Sequence, residues 1–238
     1  MEVFLLAGQS NMQGFGKIAG YPVLYDDRIF NLATGHAEPA VEPLHDWPEH
    51  HMPEGIGLGL PMPFALEVLK AYPDIRIGFI PSARGGSHLD QWMPGKENFE
   101  RAVSLYERAM KNIPDCKLAG ILWHQGEADA ARKDEAETYG SRFIEAMKGF
   151  RNRLGGLDAP VVAGEMCRIP DGIDNNQKWW KLVTEQTREA VSRLGNAAYV
   201  SSEGLSADNG EHLHFNTPSI RKYGLRYAAA YLKLTKKL

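Results

Sequence analysis

Short apolar runs alternate with longer stretches of helical periodicity along most of the chain. Residues 3–7, 75–80, 118–123, 160–164 and 197–201 have the length and apolar content of strands buried on both faces. Between and after them the apolar positions recur every three to four residues, predicting helices. The first runs from Pro61 through Phe64, Leu66 and Leu69 to Tyr72; the others cover 97–113, 135–154 and 179–194, with a last one beginning at Thr217–Pro218. Gly155–Gly156 is a stop signal for the long third helix. Thr217 followed by proline reads as a cap and first turn. Five such alternations are the signature of a parallel sheet with helices on both faces, a three-layer α/β/α sandwich. With no repeat, linker or low-complexity tract, residues 1–238 read as one domain.

Residues 21–51 break the pattern. They carry Pro22, Pro39, Pro43 and Pro48 with few periodic apolar positions, as a functional surface or cover would. His36, His45, Asp46, His50 and His51 lie here at no recognisable metal-ligand spacing, and Trp47 is expected at a binding rim. Gly55, Gly57 and Gly59 imitate a dinucleotide fingerprint, but no strand precedes them.

Composition removes several function classes. The chain has 238 residues, a net charge of −3 and a pI of about 6.2, so nothing draws it generally to nucleic acid or an anionic membrane. Lys233, Lys236 and Lys237 suit a helix C-terminus. No stretch is apolar enough over sufficient length to span a bilayer. The apolar run at residue 3 lacks a basic leader and is needed as a strand, so it is not read as a signal peptide; a leader lost beforehand would leave the same picture. Cys116 and Cys167 cannot form a disulfide framework and read as packed thiols.

The ends of the strands carry the chemistry. Ser10 follows the first, Gly85–Gly86 the second, His124–Gln125–Gly126–Glu127 the third, and Glu211–His212–Leu213–His214 precedes the last helix. In a parallel sheet these ends share one rim. A serine hydroxyl becomes a nucleophile when an imidazole takes its proton and an acid orients that imidazole. The Ser10 N–H, a Gly85 or Gly86 N–H and the Gln125 amide are the right kinds of donor for the oxyanion that attack creates. Gln9, Asn11, Arg84 and Trp92 are candidate substrate contacts. Asn11 also reads as a loop stabiliser, Arg84 as one half of an ion pair, and Trp92 as core. The hydrolase elbow G-x-S-x-G is absent, because Met12 stands where its last glycine belongs.

GQSNM at a strand end, a GGS loop, WHQGEAD and a late LHFN together resemble the SGNH-type hydrolases, in the branch of sialate O-acetylesterases and carbohydrate esterase family six acetylxylan esterases. The resemblance implies a flavodoxin-like five-stranded parallel sheet. It also implies removal of acetyl groups from sugar hydroxyls through a seryl acyl-enzyme, with no metal or cofactor. It makes Ser10 the nucleophile and His214 the base, in preference to His212, and sets Gln125 where most such enzymes have an oxyanion-hole asparagine. For the orienting acid it offers Glu127 first and Glu211 second. The expected partner is an acetylated carbohydrate, acetylxylan or a related glycan, with sialate as the alternative. A lipase or thioesterase-like enzyme and a non-catalytic carbohydrate-binding scaffold are the competing readings.

Overall fold

The structure is a computed structural model that describes residues 1–45, 56–173, 175–207 and 212–235. The five predicted strands are present as β1 (Glu2–Gly8), β4 (Ile77–Pro81), β5 (Lys117–His124), β6 (Val161–Gly164) and β7 (Ala197–Val200). Two more extend the sheet at one edge, β2 (Ile29–Asn31) and β3 (Glu38–Pro39). The five-stranded expectation is therefore corrected to seven strands among the described residues, in the order β3-β2-β4-β1-β5-β6-β7. β2 pairs parallel to β4, Ile29 opposite Ile77, and only β3 runs antiparallel. Strands this short carry too few residues for an alternating pattern. They exist because a neighbouring edge supplies the missing hydrogen bonds.

β1 lies at the centre of the sheet and divides the interior in two. Val3, Leu5 and Ala7 face a core completed by α3 (Glu97–Asn112), α4 (Lys133–Arg153) and α5 (Trp180–Leu194). Phe4 and Leu6 face the opposite core, covered by α2 (Pro61–Ala71) and α6 (Thr217–Thr235). This follows from the two-residue side-chain period of a strand. Phe4 meets Phe64 and Tyr231 edge-on, each with centroids 5.0 Å apart. On the other face Trp92 and Trp123 pack at 5.5 Å, also edge-on.

Several loop expectations change. The α6 cap is Asn216, whose Oδ1 accepts the Ser219 N–H at 3.0 Å; Thr217 sits inside the helix and its hydroxyl donates to the Lys17 carbonyl. Gly57 serves backbone packing: a Cβ there would lie 2.1 Å from the Gly16 carbonyl oxygen. Gly16 and Leu58 exchange both backbone hydrogen bonds, 3.0 and 2.8 Å long. Cys116 and Cys167 are free thiols, and burial pushes Cys167 up to about 12. Among the described residues no helix is long and apolar enough to cross a membrane. Asp46, Trp47, His50, His51, Gly55, Lys236 and Lys237 lie outside the described residues.

β1 ends where it must. Gly8 has φ +126°, and a Cβ there would sit 2.0 Å from the His124 carbonyl oxygen, so only glycine lets the chain turn against β5. Gly8→Ala should destabilise the fold by about 3 kcal/mol or more. Urea unfolding measures this; an unchanged midpoint would show that β1 and β5 separate freely at this point.

Candidate active site

The turn at Gly8 delivers the chain into a single helical turn, α1 (Ser10–Gln13), with Ser10 at its start. His214, 204 residues away in sequence, sets its Nε2 3.0 Å from Ser10 Oγ. The imidazole stacks on Phe15 with centroids 4.2 Å apart and planes 15° apart. With the serine hydroxyl donating, the ring nitrogen is placed to receive the proton that nucleophilic attack releases. His214 rather than His212 meets the serine.

Asn11 anchors the histidine. Its Nδ2 donates to the Leu213 carbonyl at 2.9 Å and to Glu127 Oε1 at 2.8 Å, while its Oδ1 accepts the Phe215 N–H at 3.1 Å. One buried side chain thus grips the backbone on both sides of His214 and ties it to the residue after Ser10. Asn11 is therefore a positioning residue, not a substrate contact.

Glu127 also differs from its expected role. Oε1 accepts from Asn11 and lies 3.2 Å from His124 Nε2, while Oε2 takes no hydrogen bond among the described residues. No hydrogen bond joins it to the His214 ring. His124 in turn reaches the Tyr227 hydroxyl at 3.2 Å through Nδ1. That hydroxyl gives its hydrogen to the Trp123 carbonyl at 2.8 Å, so it can only accept from the imidazole. Both His124 nitrogens then act as donors, and the ring and carboxylate form a buried ion pair. Burial pushes the Glu127 carboxyl up, but the His124 charge and the bonds from His124 and Asn11 outweigh it and hold it below the ordinary carboxylate range. The second acid candidate, Glu211, lies outside the described residues.

The loop after β4 is fastened by its own bonds. Arg84 N–H donates to the Gly8 carbonyl at 2.9 Å, Ser87 Oγ to the Arg84 carbonyl at 2.7 Å, and Trp92 Nε1 to Ser87 Oγ at 2.9 Å. Trp92 is fully buried, so it holds this loop and contacts no substrate. The Arg84 guanidinium faces outward, 3.9 Å from Glu97. Gln125 gives both amide hydrogens away, to the Ser87 carbonyl at 3.0 Å and Asp129 Oδ2 at 2.6 Å. It braces the loop and has no donor left for an oxyanion, which corrects its expected role.

A cavity of about 430 Å³ opens over this arrangement, lined by Gln9, Ser10, Gly85, Gly86 and His214 among others. Gln9 Oε1 accepts the Gly126 and Ala128 N–H groups at 3.4 and 3.3 Å, leaving its NH2 as the uncommitted end. The wall also contains Phe15, His88, Ala131, Gln177 and Leu213. Sequence reasoning passed over Phe15, His88 and Gln177. His88 directly follows the GGS loop and could have been found there; Gln177 has no local signal. A larger groove of about 650 Å³ between β7 and α6 is lined by residues such as Ala198, Val200 and Leu234 and lies apart from this constellation.

His88, Asp129 and Glu135 bring ligand-type atoms within 4.8 Å of one another. The two carboxylates are already engaged. Asp129 accepts from Gln125, the Leu89 N–H and Arg142, and Glu135 pairs with His88 and Arg132. Two guanidinium groups, of Arg142 and Arg132, already pair with these carboxylates, so the cluster is a hydrogen-bonded brace.

Asn11→Ala takes the partner from the Leu213 carbonyl and the Phe215 N–H and one of two from Glu127 Oε1; it should cost about 2–4 kcal/mol in urea unfolding, with kcat falling further than that loss of folded protein explains. A variant with wild-type kcat would show that His214 needs no such anchor. The depressed carboxyl of Glu127 contributes stability that is present above the ordinary glutamate value of about 4.3 and lost as pH falls through the folded-state value. Glu127→Gln should therefore lower stability at neutral pH and flatten the acid side of the stability curve. Identical acid slopes in the two proteins would remove Glu127 as the source.

The model of the family described as carbohydrate esterase, sialic acid-specific acetylesterase matches residues 1–233. An Arabidopsis thaliana protein named "Probable carbohydrate esterase At4g34215" is 28% identical over 248 residues, spanning 97% of this chain and 90% of the relative. Its X-ray structure superposes with a TM-score of 0.82 at 27% identity, covering 98% of both chains. The structures of NanS (TM-score 0.74, 21% identity, 98% and 96% covered) and of XAC1771, a carbohydrate acetylesterase from Xanthomonas citri (0.69, 20%, 98% and 56% covered), share the fold. Matched along nearly its whole length, the chain belongs to the carbohydrate esterase, sialic acid-specific acetylesterase family and is a carbohydrate acetylesterase.

Proposed function

We propose that Ser10 is the nucleophile and His214 the base of a metal-independent esterase that removes O-acetyl groups from a neutral glycan such as acetylxylan. The 3.0 Å approach of Ser10 Oγ to His214 Nε2 at the floor of the cavity carries this reading. His214 takes the serine proton as Oγ attacks the acetyl carbonyl. The tetrahedral oxygen is met by the Ser10 N–H, the Gly85 or Gly86 N–H and the Gln9 amide. His214 then returns the proton to the departing sugar oxygen, and water activated by the same imidazole releases acetate from the acyl-enzyme.

The cavity wall supports a neutral sugar over sialate. Among its described residues none is Arg or Lys, and Arg84, the candidate for gripping a substrate carboxylate, points toward Glu97 instead.

Ser10→Ala should abolish acetate release, by on the order of 10³-fold or more, with an unchanged far-UV circular dichroism spectrum. Undiminished turnover would end the nucleophile assignment. Across acetylated xylan, O-acetyl sialic acid and a cephalosporin-type acetate, the xylan should be the fastest source of acetate. A preference for the sialate would overturn the neutral-glycan reading, and a preference for acyl chains beyond butyryl would favour a lipid role.

A further inference from the structure

We propose that His88 is a specificity-determining residue, accepting a hydrogen bond from a free hydroxyl of the acetylated sugar, with Glu135 fixing which nitrogen is available. The inference rests on the esterase reading and deepens it. His88 follows the Gly85–Gly86–Ser87 loop and lines the same cavity as Ser10 and His214. Its Nδ1 lies 2.6 Å from Glu135 Oε2, and the carboxylate's other oxygen is held by Arg132 at 3.1 Å. A carboxylate can only accept, so Nδ1 carries the ring proton. In the neutral imidazole Nε2 is then a lone-pair acceptor. It has no hydrogen-bond partner among the described residues, and 39% of the side chain is exposed.

The aim of the ring is set from several directions. The His88 N–H donates to Gln91 Oε1 at 2.9 Å, and the next N–H, on Leu89, is held by the buried Asp129 at 2.9 Å. Glu135 belongs to the first turn of α4 and is only 13% exposed. Phe15, Ala128, Ala131 and Leu213 add apolar wall beside His88, while the buried Glu127 carboxylate and the Gln177 amide are the other acceptor-bearing side chains of the lining beyond the Ser10, Gln9 and His214 cluster. An oriented acceptor within such a wall selects a ligand that can donate, and a hydroxyl beside the acetylated position meets that requirement. A site built to bond a hydroxyl discriminates strongly against an analogue lacking it.

The test compares kcat and KM at about pH 8, where an ordinary imidazole is neutral. Three esters serve: acetylated xylooligosaccharide, the same sugar with its free hydroxyls methyl-capped, and p-nitrophenyl acetate. His88→Ala should lower kcat/KM on the uncapped sugar by about 10–100-fold, the span expected for one buried hydrogen bond, and change the aryl acetate by less than about threefold. Wild type should discriminate between uncapped and capped sugar, and His88→Ala should lose most of that discrimination. His88→Gln, which can keep an acceptor near Nε2, should recover part of it, and Glu135→Gln should weaken it by freeing the tautomer. Equal losses on sugar and aryl esters, or an unchanged preference for the uncapped sugar, would overturn the inference. A wild type inert toward every acetate ester would overturn the esterase reading and this inference together. An active wild type whose His88→Ala variant loses both esters alike overturns this inference alone.

Discussion

A single amide side chain joins the two ends of this protein. Asn11 belongs to the turn that carries Ser10, and it bonds the backbone immediately before and after His214. The serine is set by β1, while the histidine lies on a segment between the sheet and α6. Without a shared anchor the 3.0 Å approach of the pair would rest on the path of that segment alone, and proton transfer tolerates little misplacement. Asn11 suits the task because an amide donates and accepts at once, and because it is buried where water cannot compete for those bonds.

The same amide reaches deeper, to Glu127, and from there the polar chain continues through His124 to Tyr227 on α6. A buried ion pair of this kind adds little net stability over apolar packing. What it supplies here is connection: strand β5, the turn at Ser10 and helix α6 meet through hydrogen bonds of fixed direction, which apolar contacts do not enforce. Gln125, one residue from His124, performs a parallel task on the other side, bracing the glycine loop through Ser87 and Asp129. Two neighbouring residues at the end of β5 thus support the serine–histidine pair and the loop that faces it.

The cavity above this framework has no Arg or Lys among its described lining residues. Its lining brings together Ser10, the Gln9 amide and the Gly85–Gly86 loop, with His88 two residues beyond Gly86. In the mechanism proposed above, one part of this wall meets the acetyl carbonyl and another the sugar. Both parts are attached to the rigid rim of the sheet.

Much of this was legible from the chain alone. The apolar runs marked the five main strands because a strand buried on both faces needs continuous apolar residues, and Ser10, Gly85, Gly86 and His214 stood out as strand-end polar groups. They stood out because few residue types suit the chemistry proposed for them. The partners of these groups were not legible. Glu127 and Gln125 drew notice for tasks in catalysis that their hydrogen bonds assign elsewhere, while for Asn11 and Trp92 the structure takes the loop-stabiliser and core readings over substrate contact. β2 and β3 escaped for a related reason, being too short to show a period and stabilised only by a neighbouring edge. Local composition determines what an element is and which chemistry a side chain can offer. Only the folded arrangement decides whether that side chain faces the cavity or is already engaged, because hydrogen-bond partners here lie up to 204 residues apart.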